Sequence, residues 1–161
     1  MYISAKVDYA VRVLLTLAAE PGGTPMTGEM LANAQGLPVK FVNNTLVELR
    51  RGGFVISQRG SEGGYRLARP PDEIALADIF RILDGPLAAV RGERPEDTVY
   101  EGPAAKLQEV WVAVRAALRM VLETVTLADV LSGDLPPRVA ELVASPDAWE
   151  RRSMLPLRRP S

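Results

Sequence analysis

Lys40, Asn43 and Asn44 stand three and four residues apart in the stretch "LPVKFVNNTLVELRR". That spacing puts all three on one face of a helix. An asparagine amide can bond adenine N6 and N7 together, and a lysine can reach guanine or a phosphate. Further on, "VISQRGSEGGYRLAR" places Arg59, Ser61 and Arg66 in and beside a glycine-rich loop. An arginine at such a tip can enter a minor groove narrowed by A·T-rich sequence, and glycines let the backbone approach closely. The chemistry on offer is the reading of double-stranded DNA. The candidate contacts are Lys40, Asn43, Asn44, Arg51, Arg59, Ser61 and Arg66.

Other chemistries are poorly provided for. The 161 residues include no cysteine and no histidine. That removes disulfides, thiolate nucleophiles, imidazole bases and the usual ligands of zinc, haem and iron–sulfur clusters. No nucleophile–base pair can be built except from lysine or carboxylates, so an enzyme is not expected. The 47% apolar and 24% charged composition is that of a globular protein. No apolar run reaches a bilayer's width, and Lys6, Asp8 and Arg12 break up the N-terminal stretch. A cytoplasmic protein without membrane contact is expected.

The net charge of −1 is unevenly spread. Between Pro38 and Arg69 there are six basic and two acidic residues, whereas Pro70 to Glu150 holds seven basic and fifteen acidic. A basic segment on an acidic body can bind a polyanion locally while the whole stays soluble.

The elements that must position these residues follow from periodicity. Val7, Ala10, Val11, Leu14, Leu15, Leu17 and Ala18 predict an amphipathic helix from Ser4 to Glu20, ended by Pro21-Gly22-Gly23. Thr27 is the expected N-cap of a second helix to Gln35, with Met30, Leu31 and Ala34 inward. Gly36 turns the chain tightly, and Pro38 opens a third helix to Arg51 with Phe41, Val42, Leu46 and Leu49 buried. Phe54–Gln58 and Tyr65–Ala68 predict a hairpin, and Leu76–Asp84 a fourth helix. Residues 90–103 read as a loop. Then Leu107, Trp111, Val114, Leu118, Val121 and Val125 form a heptad seam on a long helix from Ala104 to Val125. Thr126 is expected to cap a short helix, Leu127 to Leu131, and Pro136-Pro137 to precede another.

Three helices with a glycine turn, followed by a hairpin, describe a winged helix-turn-helix, with the third helix in the major groove and the hairpin as wing. The fold class is mainly α with a small β-hairpin, carrying a long dimerisation helix. The expected domains are a DNA-binding domain over 1–85, an effector or linker loop over 86–103, a dimerisation helix with C-terminal helices over 104–145, and a disordered basic tail over 146–161.

"SAKVDYAVRVLLTLA", the run from "LPVKFVNN" through "RGSEGGYRLAR", "IALADIFRILDG" and "VTLADVL" together resemble the Rrf-two family of bacterial winged helix-turn-helix regulators, the type of IscR, NsrR and CymR. The resemblance covers nearly all of the chain to about Leu131. It implies a homodimeric transcription factor, usually a repressor, on a partly palindromic operator. It also places Lys40, Asn43 and Asn44 on the base-reading face, Arg59 at the wing tip and Lys6 where the first helix nears a phosphate. In the family the long helix is the dimerisation helix.

The chain departs from the cluster-binding members, since its loop "RGERPEDTVYEG" carries no cysteine. Asp8, which stands where some of those relatives supply a ligand, is expected to be a surface or interface charge. No iron–sulfur cofactor is expected. Glu93, Glu96, Asp97 and Glu101 read as a solvated loop rather than a metal site. Control by a small molecule near Trp111 and Tyr100, by a partner protein, or by abundance alone all stay open. The alternative function is a protein-interaction adaptor on the same fold with little operator binding.

Overall fold

The computed structural model describes residues 2–151. The seven helices among them are α1 (Ala5–Ala19), α2 (Gly28–Gln35), α3 (Val39–Arg51), α4 (Leu76–Leu83), α5 (Leu107–Leu122), α6 (Leu127–Ser132) and α7 (Pro137–Ala144). Strands β1 (Val55–Gln58) and β2 (Gly64–Leu67) lie between α3 and α4. No helix among the described residues is long and apolar enough to cross a membrane.

Local chemistry sets the helix ends. Ser4 Oγ accepts from the Val7 amide and Thr27 Oγ1 from the Met30 amide, each at 3.2 Å, so both helices start with a donor satisfied. Gly36 closes α2 in the left-handed region, at φ 63°. Thr126 and Asp129 cap α6 reciprocally, side chain to backbone in both directions.

The core gathers Val7, Val13 and Leu14 of α1, Leu31 of α2, Val42, Leu46 and Leu49 of α3, Phe54, and Ile79 of α4. β1 and β2 pair antiparallel with Val55 opposite Leu67 and Gln58 opposite Gly64, which leaves residues 59–63 as the wing loop. An isolated antiparallel bridge completes the wing's base: Met26 and Tyr65 exchange backbone hydrogen bonds of 2.9 and 2.7 Å. This approach requires Gly64, whose φ is 146° and where a Cβ would sit 2.5 Å from the Met26 carbonyl carbon.

Several expectations are corrected. Met30 and Ala34 lie exposed and Ala32 takes the inward place, because α2 turns its Leu31–Ala32 edge to the core. Phe41 is 41% exposed, while Thr45 is buried with its hydroxyl bonded to the Phe41 carbonyl. The long helix is shorter than predicted at both ends, Leu107–Leu122. The loop over 90–103 holds a Val90–Glu93 bridge and 3-10 turns at Pro95–Asp97 and Gly102–Ala104.

Val125 is 3% exposed, beyond the end of α5 and inside its own subunit. The chain there returns to the first domain: the Leu76 amide donates to the Val125 carbonyl at 2.9 Å and the Leu127 amide to Ile74 at 3.0 Å. Leu127 joins the core and α6 packs on α1. α6 therefore packs with the elements of residues 1–85. Of the segment expected to be a disordered tail, 146–148 form a 3-10 turn and the Trp149 indole donates to the Val143 carbonyl at 2.8 Å. The rest of that segment, 152–161, lies outside the described residues.

Candidate nucleic-acid interface

The third helix presents Lys40, Asn43, Asn44 and Val47 to solvent on the side opposite its buried Val42, Leu46 and Leu49. None of Lys40, Asn43 or Asn44 forms a side-chain hydrogen bond or ion pair among the described residues. The helix start is also open. Pro38 is an N-cap without a side-chain bond, and the amides of Val39 and Lys40 find no acceptor among the described residues. Free amides at a helix N-terminus favour an anion such as a phosphate.

Asn43 is held in a way that sequence did not reveal. Gly28, the first residue of α2, is buried against it, so that a Cβ there would lie 1.9 Å from Asn43 Oδ1 and 3.4 Å from Leu46 Cδ1. The absence of a side chain at Gly28 makes room for the amide.

Lys6, expected where α1 nears a phosphate, pairs through its partly exposed ammonium with the Glu48 carboxylate at 3.2 Å, linking the start of α1 to α3. Nearby, Tyr9 and Phe41 meet edge to face with ring centroids 5.3 Å apart, and Arg12 stacks on Tyr9 while bonding both the side chain and carbonyl of Gln35. These contacts fix α1 to the helix-turn-helix, and only the exposure of Phe41 gives them away. Asp8 pairs with Arg12 at 3.5 Å, the surface role expected of it.

The wing loop exposes Arg59 and Ser61, again without partners among the described residues. The loop closes through a 3.0 Å bond from the Gly63 amide to the Gly60 carbonyl. Arg50 of α3 reaches Ser57 of β1 at 3.5 Å and connects the end of the reading helix to the wing, while Arg51 is exposed beside it. Arg66 is not gathered with the others. It pairs with Ile56 across the hairpin and lines a shallow groove with Leu17 and Glu20 at the far end of α1 from Lys6.

Of the expected seam, Trp111, Val114 and Leu118 line, with Phe80 and Leu87, a cavity of about 380 Å³. The Trp111 indole donates to the Tyr100 hydroxyl at 3.1 Å, and Arg91 stacks on that ring. Leu107 and Val121 are half-buried. The apolar residues that α5 leaves in solvent are Val110, Ala113, Val114, Ala116 and Ala117, with Val110 50% and Val114 43% exposed. Val110, Ala113, Val114 and Ala117, spaced three, one and three apart, make a continuous stripe.

In the preceding loop, Glu96 bonds Arg115 and its carboxyl is held below the ordinary value, first by its own backbone N–H and then by that guanidinium. Glu93, Glu96, Asp97 and Glu101 do not gather: no group of three or more potential ligands forms among the described residues.

A helix-turn-helix with a free polar face, followed by a glycine-tipped wing, defines a winged-helix DNA-binding regulator. Residues 3–133 match the family Rrf2, described as iron-dependent transcriptional regulator, and the chain belongs to that family. It is 50% identical over 142 residues to the "Putative HTH-type transcriptional regulator Rv1287" of Mycobacterium tuberculosis, covering 88% of each chain. It is 36% identical to the HTH-type transcriptional regulator CymR of Bacillus subtilis, over 82% of this chain and 91% of that one. The solved structure of CymR, the global cysteine regulator of B. subtilis, superposes with a TM-score of 0.71 at 32% identity, over 83% of this chain and 98% of that one. The structure of T. potens IscR gives 0.67 at 32% identity, over 83% and 88%. These relatives are named as regulators of transcription, not as enzymes.

The iron in the family's description does not fit this chain. With neither thiolate nor imidazole in its sequence, it lacks the donors that hold a cluster or a soft-ligand iron site.

Proposed function

We propose that the protein is a cytoplasmic homodimeric repressor that binds a partly palindromic operator and works without an iron–sulfur cluster, under the control of a small molecule or a partner protein. The observation that carries this reading is the set of uncommitted polar groups on the scaffold: Lys40, Asn43 and Asn44 on α3 and Arg59 on the wing, none of whose side chains is engaged among the described residues. A surface kept for its own fold would pair such groups, and one kept for DNA leaves them open to phosphates and base edges. The exposed stripe Val110–Val114–Ala117 on α5 supports pairing of two copies, which a two-fold operator requires.

Selection of bound fragments from a random-sequence DNA pool tests the reading. Successive rounds are expected to converge on an inverted repeat with A·T-rich flanks, and placing that repeat across a promoter should lower transcription in a purified system. A pool that stays random through the selection would overturn it.

A further inference from the structure

Away from the DNA-reading face there is a second concentration of cations. Arg81 of α4, Arg94 of the connecting loop, and Arg115 and Arg119 of α5 line one cleft of about 280 Å³ together with Leu87 and Ala88. Arg115 and Arg119 are four residues apart and so share a helix face, onto which the loop and α4 bring the other two.

The chain only partly answers this charge. Asp78 bonds Arg81 at 3.1 Å, Glu123 bonds Arg81 and pairs with Arg119 at 3.6 Å, and Glu96 bonds Arg115. Three carboxylates thus face four guanidinia. Each guanidinium carries five N–H donors, of which these hydrogen bonds take two on Arg81 and one on Arg115. The Arg94 guanidinium forms no hydrogen bond and no close ion pair among the described residues, although its charge acts on Glu96. The backbone amides of Leu87 and Ala88 also find no acceptor among the described residues.

We propose that this cleft binds a small dianion, a phosphate ester or a polycarboxylate, through the planar forks of Arg94, Arg115 and Arg119. Planar guanidinium forks match the paired oxygens of phosphate and carboxylate. The volume admits a small metabolite and no polymer. The anion competes with Glu96 for Arg115 and with Glu123 for Arg119, and because Glu123 also holds Arg81, its arrival changes how α4 is tied to the end of α5. As a means of control this rests on the DNA-binding reading; as a binding site it does not, and the two are tested apart.

The test is calorimetric titration of the full chain, without DNA, with inorganic pyrophosphate and with citrate at constant ionic strength. One saturable site per chain is expected, weakened roughly tenfold or more in Arg94→Gln and in Arg119→Gln and unchanged in Arg59→Ala. Preference for pyrophosphate assigns a phosphate ester and preference for citrate a polycarboxylate, and either supports the site. No saturable binding of either anion, unchanged affinity in both cleft variants, or loss of binding in Arg59→Ala would overturn it.

Discussion

A Cβ on Gly28 would lie 1.9 Å from Asn43 Oδ1, so the first residue of α2 sets where the exposed Asn43 amide, proposed to read a base, can point. Gly28→Ala should therefore turn that amide aside with little effect on the fold, since the clash falls on the end of a movable side chain. A well-placed bidentate contact is worth about 1–3 kcal/mol of discrimination between bases. The variant is expected to melt near the parent's temperature while losing most of its preference at one operator position, as measured by anisotropy on single-base operator variants.

Lys6 and Glu48 form a partly exposed pair that contributes only about 0.2–1 kcal/mol to stability. Its larger effect is on charge beside the reading helix. Glu48→Gln frees Lys6 for a phosphate. It is expected to tighten DNA binding and to steepen the plot of log affinity against log salt by about 0.9, the increment of one added phosphate contact. Lys6→Met should weaken binding instead. Salt titrations of both variants check the pair of outcomes.

Leu127 follows the long helix in sequence yet is buried in the first domain's core. Leu127→Ala should destabilise that domain by about 2–5 kcal/mol, the cost of emptying a leucine site in a packed core. Chemical denaturation followed by near-ultraviolet signals measures it. An exposed peripheral α6 would give almost no change.

Much of this was legible in advance. Ser4, Thr27 and Gly36 mark helix ends through local chemistry, and such signals need no knowledge of the rest of the fold. The hairpin and its free Arg59 follow from glycine placement and strand-forming residues in the same way. Sequence missed what depends on contacts between distant segments. Lys6 meets Glu48 across 42 positions, and the Leu76–Val125 bond brings α6 home across 49. The heptad in α5 identified a helix with an apolar stripe. Spacing alone does not show that Trp111, Val114 and Leu118 line a cavity shared with Phe80 of α4 and Leu87 of the loop. Arg81, Arg94, Arg115 and Arg119 lie scattered along an acidic stretch of sequence, and only tertiary structure converges them.

The exposed stripe of α5 gives a test of assembly. Val110→Asp and Ala117→Asp place charges at solvent-exposed positions and should leave the subunit folded. Both are expected to convert dimers to monomers in sedimentation velocity with an unchanged circular dichroism spectrum. Persisting dimers would assign the interface to another surface.

The central claim is that the open face of α3 and the wing together read DNA. The most direct measurement is fluorescence anisotropy of the full chain on its selected operator, titrated across salt concentrations beside Lys40→Ala and Arg59→Ala. The account predicts operator binding that survives excess random DNA. Lys40→Ala should lower the salt slope by about 0.9 if the lysine meets a phosphate, and Arg59→Ala should lose affinity chiefly on A·T-rich flanks. Equal affinity for operator and random DNA, with both variants indistinguishable from the parent, would contradict it.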